Sequence, residues 1–211
     1  MSKSYGQYCP IAEALDVVGE RWTLLIAREL LTGPQRFTDL RAGLPGIPPN
    51  LLSSRLRELE DAGLIARREL PPPAARTVYE LTEEGLGLEP TLRALARWGM
   101  HRLPPDDRGV SPAAAVRAAL VAYARPRAAS APQRTWAAHV GGEAFTLQLE
   151  DGRVSYRSGD PVRADLVVSA DPADLMRLRR GDTRPLRHPA VRYQPNDREL
   201  IGEFRAVFNL A

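Results

Sequence analysis

The stretch RWTLLIARELLTGPQRFTDLRAGLPGIPPNLLSSRLRELEDAGLIARRELPPPAARTVYELT, residues 21–82, decides the fold of the N-terminal half. Its apolar residues first recur near the 3.6-residue helical period, and this run ends at Gly33-Pro34, where a helix is expected to stop. A shorter helical pattern follows over residues 37–44 and closes at Pro45-Gly46. The sequence therefore predicts two helices in succession, separated by a tight turn.

The next segment predicts a third helix with one apolar face. Leu52, Leu56 and Leu59 stand at i, i+4 and i+7, and Gly63 is placed to cap the helix end. With these leucines inward, a step of about 100° per residue turns a set of polar side chains to the opposite face. That set is Asn50, Ser54 and Arg57, with Ser53 to one side. Such side chains read base edges or hold phosphates, although an ordinary solvated helix face carries the same residue types.

Two short strand-like runs follow, over residues 64–70 and 77–82. Three consecutive prolines begin the segment between them, and because they remove three backbone donors this segment must project as a loop. Arg76 at its end is placed to contact phosphate or the minor groove. A helix, a turn, a second helix and a two-stranded wing predict a winged helix-turn-helix, a fold that reads DNA.

A series of short motifs runs in a fixed order through residues 5–102. They are Cys9-Pro10, Val18-Gly19-Glu20-Arg21-Trp22, Leu30-Leu31-Thr32-Gly33-Pro34-Gln35-Arg36-Phe37, Leu44-Pro45-Gly46-Ile47, Leu52-Ser53 with Leu56 and Leu59, Gly63-Leu64, Tyr79-Glu80-Leu81-Thr82, Gly85 and Trp98. Their order and spacing resemble the HxlR family of bacterial transcriptional regulators. The resemblance implies a homodimer bound to a two-fold-related operator. Pro48 departs from it, because the family usually has a small polar residue there that can cap the recognition helix.

Bulk charge does not by itself indicate nucleic acid. The formal net charge is +3, but Lys3 is the only lysine, an arginine bias that codon composition explains, and residues 1–107 hold 13 basic and 15 acidic residues. The prediction of double-stranded DNA as the partner therefore rests on individual placements. The predicted DNA-binding residues are Arg36, Thr38, Asn50, Ser53, Ser54, Arg55, Arg57 and Arg76.

Two apolar helical stripes flank the winged module, one near the N-terminus and one after the wing. Such stripes are more often core, but a winged module does not need two extra apolar helices for itself, so we interpret them as a homodimer interface. The predicted interface residues are Tyr8, Ile11, Leu15, Leu92, Leu95 and Trp98.

Cys9 is the only cysteine, which excludes an internal disulfide and a cysteine-rich zinc site. It precedes Pro10 at the entry to a helix, where backbone donors can lower a thiol pKa. The family resemblance implies redox or electrophile sensing at this position, which makes Cys9 a candidate sensor. The alternative is a small buried residue that only packs.

The chain changes character after Trp98. A Pro-, Asp- and Arg-rich segment over residues 104–112 predicts a linker between a domain at 1–103 and a second at 113–211. In the second domain the pattern predicts a helix, a hairpin turning at Asp151-Gly152, a strand, a helix starting at Asp171-Pro172 and a terminal helix over residues 196–210. These elements predict a small α+β unit with its own core.

The order of these elements, from a helix at 113–123 through a final strand at 191–193 to the terminal helix, resembles the sterol carrier protein type 2-like fold over residues 110–211. The resemblance implies a tunnel for a lipid-like or other apolar effector, although the same side chains would serve equally to fill a solid core. The predicted pocket residues are Phe145, Leu147, Tyr156, Leu175, Met176, Phe204 and Phe208.

Catalytic and membrane functions have little support. The three histidines are far apart, and the chain has no nucleophile elbow, phosphate loop or His-Glu-x-x-His motif, so we expect no enzyme, no metal and no cofactor. No apolar run is long enough for a membrane span, and the first residues lack the apolar core of a secretory signal, so we expect a cytoplasmic protein.

The prediction for the whole chain is an α+β protein with an N-terminal winged helix-turn-helix followed by a small sterol-carrier-like domain. It would act as a dimeric DNA-binding regulator that responds to an apolar small molecule. The alternative is a winged-helix module that binds another protein, with a purely structural C-terminal domain.

Overall fold

The computed structural model describes residues 4–71, 76–100, 102, 112–124, 130–172, 174 and 191–208. The chain divides into two compact units, Met1–Leu92 and Arg93–Ala211. This boundary lies about ten residues before the predicted one at 103, and the predicted linker falls outside the described residues apart from Pro112. No described helix has both the length and the apolar character needed to cross a membrane.

The first unit has the predicted order of helices and wing. Its elements are α1 (Pro10–Val18), α2 (Thr23–Leu30), α3 (Phe37–Gly43), α4 (Pro49–Asp61), β1 (Ile65–Leu70), β2 (Arg76–Leu81) and α5 (Glu83–Leu86), followed by α6 (Glu89–Met100), which crosses the boundary between the units. The winged helix-turn-helix prediction is confirmed, with element ends shifted by one or two residues.

The leucine stripe of α4 forms the centre of the first unit. Leu52, Leu56 and Leu59 are all buried, and they pack with apolar side chains of α2, α3 and β1. Burial of one such side chain contributes about 1.5 to 3 kcal/mol. Gly63, with a φ of +71°, turns the chain out of α4, and the Leu64 N–H donates to the Leu59 carbonyl at 2.9 Å.

The wing is an antiparallel pair whose register runs from Ile65 opposite Leu81 to Leu70 opposite Arg76. Arg76 is therefore the first residue of β2, and the loop at residues 72–75 lies outside the described residues. The segment between α2 and α3 joins this sheet, because Gln35 and Tyr79 exchange backbone hydrogen bonds of 2.9 and 2.8 Å. These bonds fix the wing against the helix-turn-helix.

The second unit contains a five-stranded mixed sheet. Its elements are α7 (Pro112–Tyr123), β3 (Arg134–Val140), β4 (Glu143–Glu150), β5 (Arg153–Ser158), β6 (Leu166–Ala170), β7 (Val191–Gln194) and α8 (Arg198–Phe208). The strand order is β5-β4-β3-β6-β7, and among these described strands the β3–β6 pair alone is parallel. Asp151 and Gly152 both have positive φ, which gives the predicted two-residue hairpin between β4 and β5.

The core of this unit lies between the sheet and helices α7 and α8. Inward residues of β3, β4 and β6 meet Val116 and Leu120 of α7 and Phe204 and Phe208 of α8. The Asp197 carboxylate accepts from the N–H groups of Glu199 and Leu200 at 2.8 and 3.1 Å, so the helix begins two residues later than predicted. The predicted helix after Asp171-Pro172 falls almost wholly outside the described residues.

Candidate nucleic-acid interface

The start of α4 has no side-chain cap. Pro48 takes the N-cap position in an extended conformation, Pro49 is the first helical residue, and no side chain caps the helix. Proline has no N–H, so the first donors that the helix itself does not use are those of Asn50 and Leu51. The departure from the family pattern at Pro48 thus leaves Asn50 exposed in the first turn, with its side chain on the face predicted for it.

The face of α4 opposite the leucines is polar, and its side chains form hydrogen bonds within α4. The Ser53 hydroxyl donates to the Pro49 carbonyl at 3.0 Å, and the Ser54 hydroxyl donates to the Glu58 carboxylate at 3.0 Å. Arg57 is exposed, and only its Nε reaches a described acceptor, the Ser53 carbonyl at 3.4 Å. The two terminal nitrogens of Arg57 are therefore available to a ligand, while both serines are half-buried.

Arg55 does not share this face. Its side chain is 15% exposed and pairs with two carboxylates, that of Glu20 at 2.8 Å and that of Glu58. Partial burial alone would raise the pKa of Glu58, but the hydrogen bonds from Arg55 and Ser54 outweigh it and lower that pKa. Arg55 thus anchors α4 to the turn between α1 and α2. These two ion pairs and the low exposure of Arg55 do not favour the predicted DNA contact.

Arg36 and Thr38 lie at the start of α3. The backbone N–H of Arg36 donates to the Asp39 carboxylate at 3.2 Å, and the Arg36 guanidinium is 3.9 Å from the same carboxylate. Thr38 is exposed. Arg36 is therefore partly neutralised by its own helix, whereas the Thr38 hydroxyl faces solvent.

The wing carries two basic side chains with no partner among the described residues, Arg67 and Arg76. Both are exposed. Arg68 differs from them, because it forms a two-point ion pair with the Glu80 carboxylate at 3.1 and 2.9 Å. Arg67 was not among the DNA-binding residues predicted from the sequence. The signal that could have found it is strand alternation, which places the neighbouring Arg67 and Arg68 on opposite faces of the wing. The candidate interface thus gains Arg67.

The predicted dimer residues differ in exposure. Tyr8, Ile11 and Leu15 of the first unit are large exposed apolar side chains, as are Leu95 and Trp98 on α6. Leu92 is only 6% exposed in the single chain, so burial does not favour its predicted place in the interface.

Cys9 occupies the N-cap position of α1 and is partly exposed, outside both hydrophobic cores. The backbone N–H groups of Ala12 and Ile11 stabilise the thiolate and so lower the pKa of the Cys9 thiol. Its partial exposure favours the predicted sensor over a residue that only packs. The described residues contain no group of three or more His, Cys, Asp or Glu side chains that could hold a metal ion.

An apolar cavity of about 60 Å³ lies in the core of the second unit. Its walls are Val116, Ala119, Leu120, Ala138, Val140, Leu147, Val168, Ala170, Val191, Phe204 and Phe208. Within the described part of the chain, these lining side chains are all apolar.

Three of the predicted pocket residues, Leu147, Phe204 and Phe208, line this cavity. Phe145 and Tyr156 are not among the described residues that line it. Phe145 is buried in the core, and the Tyr156 hydroxyl accepts a hydrogen bond from Arg117 at 2.7 Å. Leu175 and Met176 fall outside the described residues.

Comparison with known proteins identifies relatives of the first unit. The family described as HxlR-like helix-turn-helix matches residues 17–107. The uncharacterised HTH-type transcriptional regulator YvaP of Bacillus subtilis is 38% identical over 101 residues, which cover 47% of this chain and 94% of YvaP. The HTH-type transcriptional regulator YodB of the same organism is 34% identical over 100 residues, covering 47% of this chain and 89% of YodB. The solved structure of reduced YodB covers 48% of this chain and all of its own, at 33% identity and a TM-score of 0.41.

These matches confirm the predicted family for the N-terminal half. The family match ends at residue 107, so the resemblance of the second unit to the sterol carrier fold stays a prediction.

The position of Cys9 predicts a thiol that ionises more readily in the folded chain than in the unfolded one. Because Cys9 is the only cysteine, alkylation by iodoacetamide reports on it alone. We expect the alkylation rate to rise with pH around a lower midpoint in native buffer than in denaturing urea, since α1 stabilises the thiolate only when folded. The measurement is a pH–rate profile under both conditions, and coincident midpoints would contradict the assignment.

Proposed function

Because the chain belongs to the HxlR-like helix-turn-helix family, we propose that it is a dimeric, sequence-specific DNA-binding transcriptional regulator that responds to an apolar small molecule. Its relatives YvaP and YodB are named as HTH-type transcriptional regulators. The observation that carries the proposal is the polar face of α4, on which Asn50 and Arg57 are exposed opposite a buried leucine stripe.

In this proposal α4 enters the major groove. Its 13 residues span about 20 Å at 1.5 Å per residue, enough to follow several base pairs. The free N–H groups of Asn50 and Leu51 suit a phosphate at the helix start, where the helix dipole also favours negative charge. Arg57, two turns further on, keeps both terminal nitrogens free and can donate to the two acceptors of a guanine edge.

The wing would add contacts that carry no sequence information. Arg67 and Arg76 are exposed cations without described partners, and such side chains bind phosphate or enter the narrow minor groove. We assign Thr38, which is exposed at the start of α3, to a contact with the DNA backbone as well. These contacts would fix the register of the protein on the duplex.

A second copy of the chain is the partner that best fits the exposed apolar residues of α1 and of the segment just before it. Tyr8, Ile11 and Leu15 are large side chains whose exposure is costly in water. In a two-fold dimer the two α4 helices would read half-sites about one helical turn, roughly 34 Å, apart. Leu95 and Trp98 of α6 are further candidates for this interface.

The first test separates base readout from phosphate contact. Operator fragments are recovered by sequencing the DNA that co-purifies with the protein. We expect Arg57→Ala to cost about 1 to 3 kcal/mol at the recovered site and little on random DNA, because Arg57 is assigned to base edges. Arg76→Ala should weaken all sequences alike and reduce the salt slope of binding by about one.

Arg68→Ala is the matched control in the wing, because Glu80 already neutralises Arg68 and its removal should leave the salt slope unchanged. Equal losses on operator and random DNA for Arg57→Ala would remove Arg57 from base readout. If no sequence is enriched at all, the polar face of α4 meets another protein, and the chain is an interaction module.

Response to a ligand is proposed from the apolar cavity of the second unit. Binding at one site can change affinity at another by about 1 to 3 kcal/mol, and the coupling is reciprocal. We expect a compound that raises the melting temperature to change operator affinity, and operator DNA to change affinity for that compound by the same factor. The measurement is a thermal-shift screen of fatty acyl, steroid and polyketide-like compounds, followed by paired titrations. A compound that stabilises the chain without altering operator affinity would make the second unit a passive carrier.

Cys9 is proposed as a second input, supported by its partial exposure and lowered pKa. We expect a thiol oxidant to release operator DNA from the native protein and to leave Cys9→Ser bound, because no other thiol is present. The measurement is operator affinity before and after oxidation for both proteins, with recovery on addition of a reductant. An identical response of the two proteins would exclude Cys9 as a sensor.

A further inference from the structure

Two exposed side chains of α4 lie on one line along the helix. Asn50 and Arg57 are seven residues apart, almost two full turns, so they project within about 20° of each other. Both residues are exposed, and both lie opposite the buried leucine stripe. At about 1.5 Å per residue, their positions are separated by about 10 Å along the helix axis.

Two serines between these side chains have already committed their hydroxyl protons within the helix. The Ser53 hydroxyl donates to the Pro49 carbonyl, and the Ser54 hydroxyl donates to the Glu58 carboxylate, each at 3.0 Å. Both serines are also half-buried. The two longer, exposed side chains therefore present the polar atoms that reach furthest from this face.

The last turn of α4 limits the part of the helix that can lie against DNA. Asp61 is exposed one turn beyond Arg57, and this last turn carries no basic residue. A carboxylate close to phosphate groups is repelled by their negative charge. Base readout by α4 is therefore confined to the segment from Asn50 to Arg57.

The amide and the guanidinium differ in the base edge that each can match. An asparagine amide carries a donor and an acceptor side by side, and adenine offers the complementary pair in the major groove, the N7 acceptor and the N6 donor. An arginine guanidinium carries donors only, and guanine offers the two acceptors N7 and O6. The reverse pairing fails, because the amide oxygen would face O6 of guanine and the guanidinium would face the amino group of adenine.

We infer that each half-site of the operator contains an A·T pair read by Asn50 and a G·C pair read by Arg57. Their separation is about two to four base pairs, because about 10 Å along α4 corresponds to about three steps of 3.4 Å in B-DNA. The inference rests on the proposed function and names the bases that its reading helix selects.

The test replaces each base pair of the recovered half-site in turn and measures the affinity of the native protein and of two variants. For the native protein, replacement of the A·T or the G·C pair should weaken binding about 5- to 150-fold, the range of one good two-point contact. Asn50→Ala should remove the discrimination at the A·T pair alone, and Arg57→Ala that at the G·C pair alone. Arg68→Ala is the matched control and should keep both, because Arg68 is paired with Glu80.

A second measurement uses the native protein and altered DNA. 7-Deazaadenine and 7-deazaguanine carry a carbon in place of N7, which removes one acceptor from the major groove and leaves Watson–Crick pairing intact. Either substitution at its assigned position should weaken binding at least about 2-fold, the smallest effect typical of one hydrogen bond. Asn50→Ala should no longer respond to 7-deazaadenine. The native readout holds even if a variant fails to fold.

The outcomes separate the inference from the proposed function. A half-site without these two base pairs at this spacing overturns the inference, and so does a scan that neither variant alters. Loss of N7 without effect on the native protein does the same. In each of these cases a sequence-specific operator exists, so the proposed function stands. If no sequence is enriched at all, the proposed function fails, and the inference that rests on it fails with it.

Discussion

The rotation of α4 about its own axis is the constraint on which the candidate interface depends. Burial of Leu52, Leu56 and Leu59 leaves one orientation of the helix, because turning any of them outward would expose apolar area worth about 1.5 to 3 kcal/mol. The opposite face is then fixed, and Asn50 and Arg57 face away from the core. The residues that would read DNA are thus positioned by residues that never touch it.

Backbone hydrogen bonds join the wing to the segment that precedes α3. Gly63 ends α4 at a positive φ, and the chain passes directly into β1. The paired bonds between Gln35 and Tyr79 then tie β2 to the segment before α3. Backbone hydrogen bonds of this kind do not depend on side-chain identity, so the exposed side chains of the wing are free to vary in charge. Arg67 and Arg76 illustrate this, whereas Arg68 is committed to Glu80.

Local patterns were sufficient to predict most of the fold. Helical periodicity predicted the leucine stripe of α4. The pair Asp151-Gly152 predicted a hairpin, which the positive φ values of both residues confirm. The sequence did not predict the environment of residues that is set by distant parts of the chain. Arg55 is paired with Glu20, 35 positions away, and no local rule distinguishes it from Arg57 two residues later. Leu92 likewise has the spacing of an exposed stripe and is nevertheless buried.

The ion pair between Arg55 and Glu20 also joins two parts of the first unit that serve different proposed roles. Glu20 follows α1, the helix whose first turn lowers the pKa of Cys9, while Arg55 lies in the middle of α4. Glu20 is largely exposed and Arg55 largely buried, so the desolvation cost falls mainly on the arginine, whose second carboxylate partner, Glu58, is on α4 itself. Removal of Glu20 would therefore leave Arg55 paired within its own helix. The contact therefore ties the segment after α1 to α4, while the pair with Glu58 stays within α4.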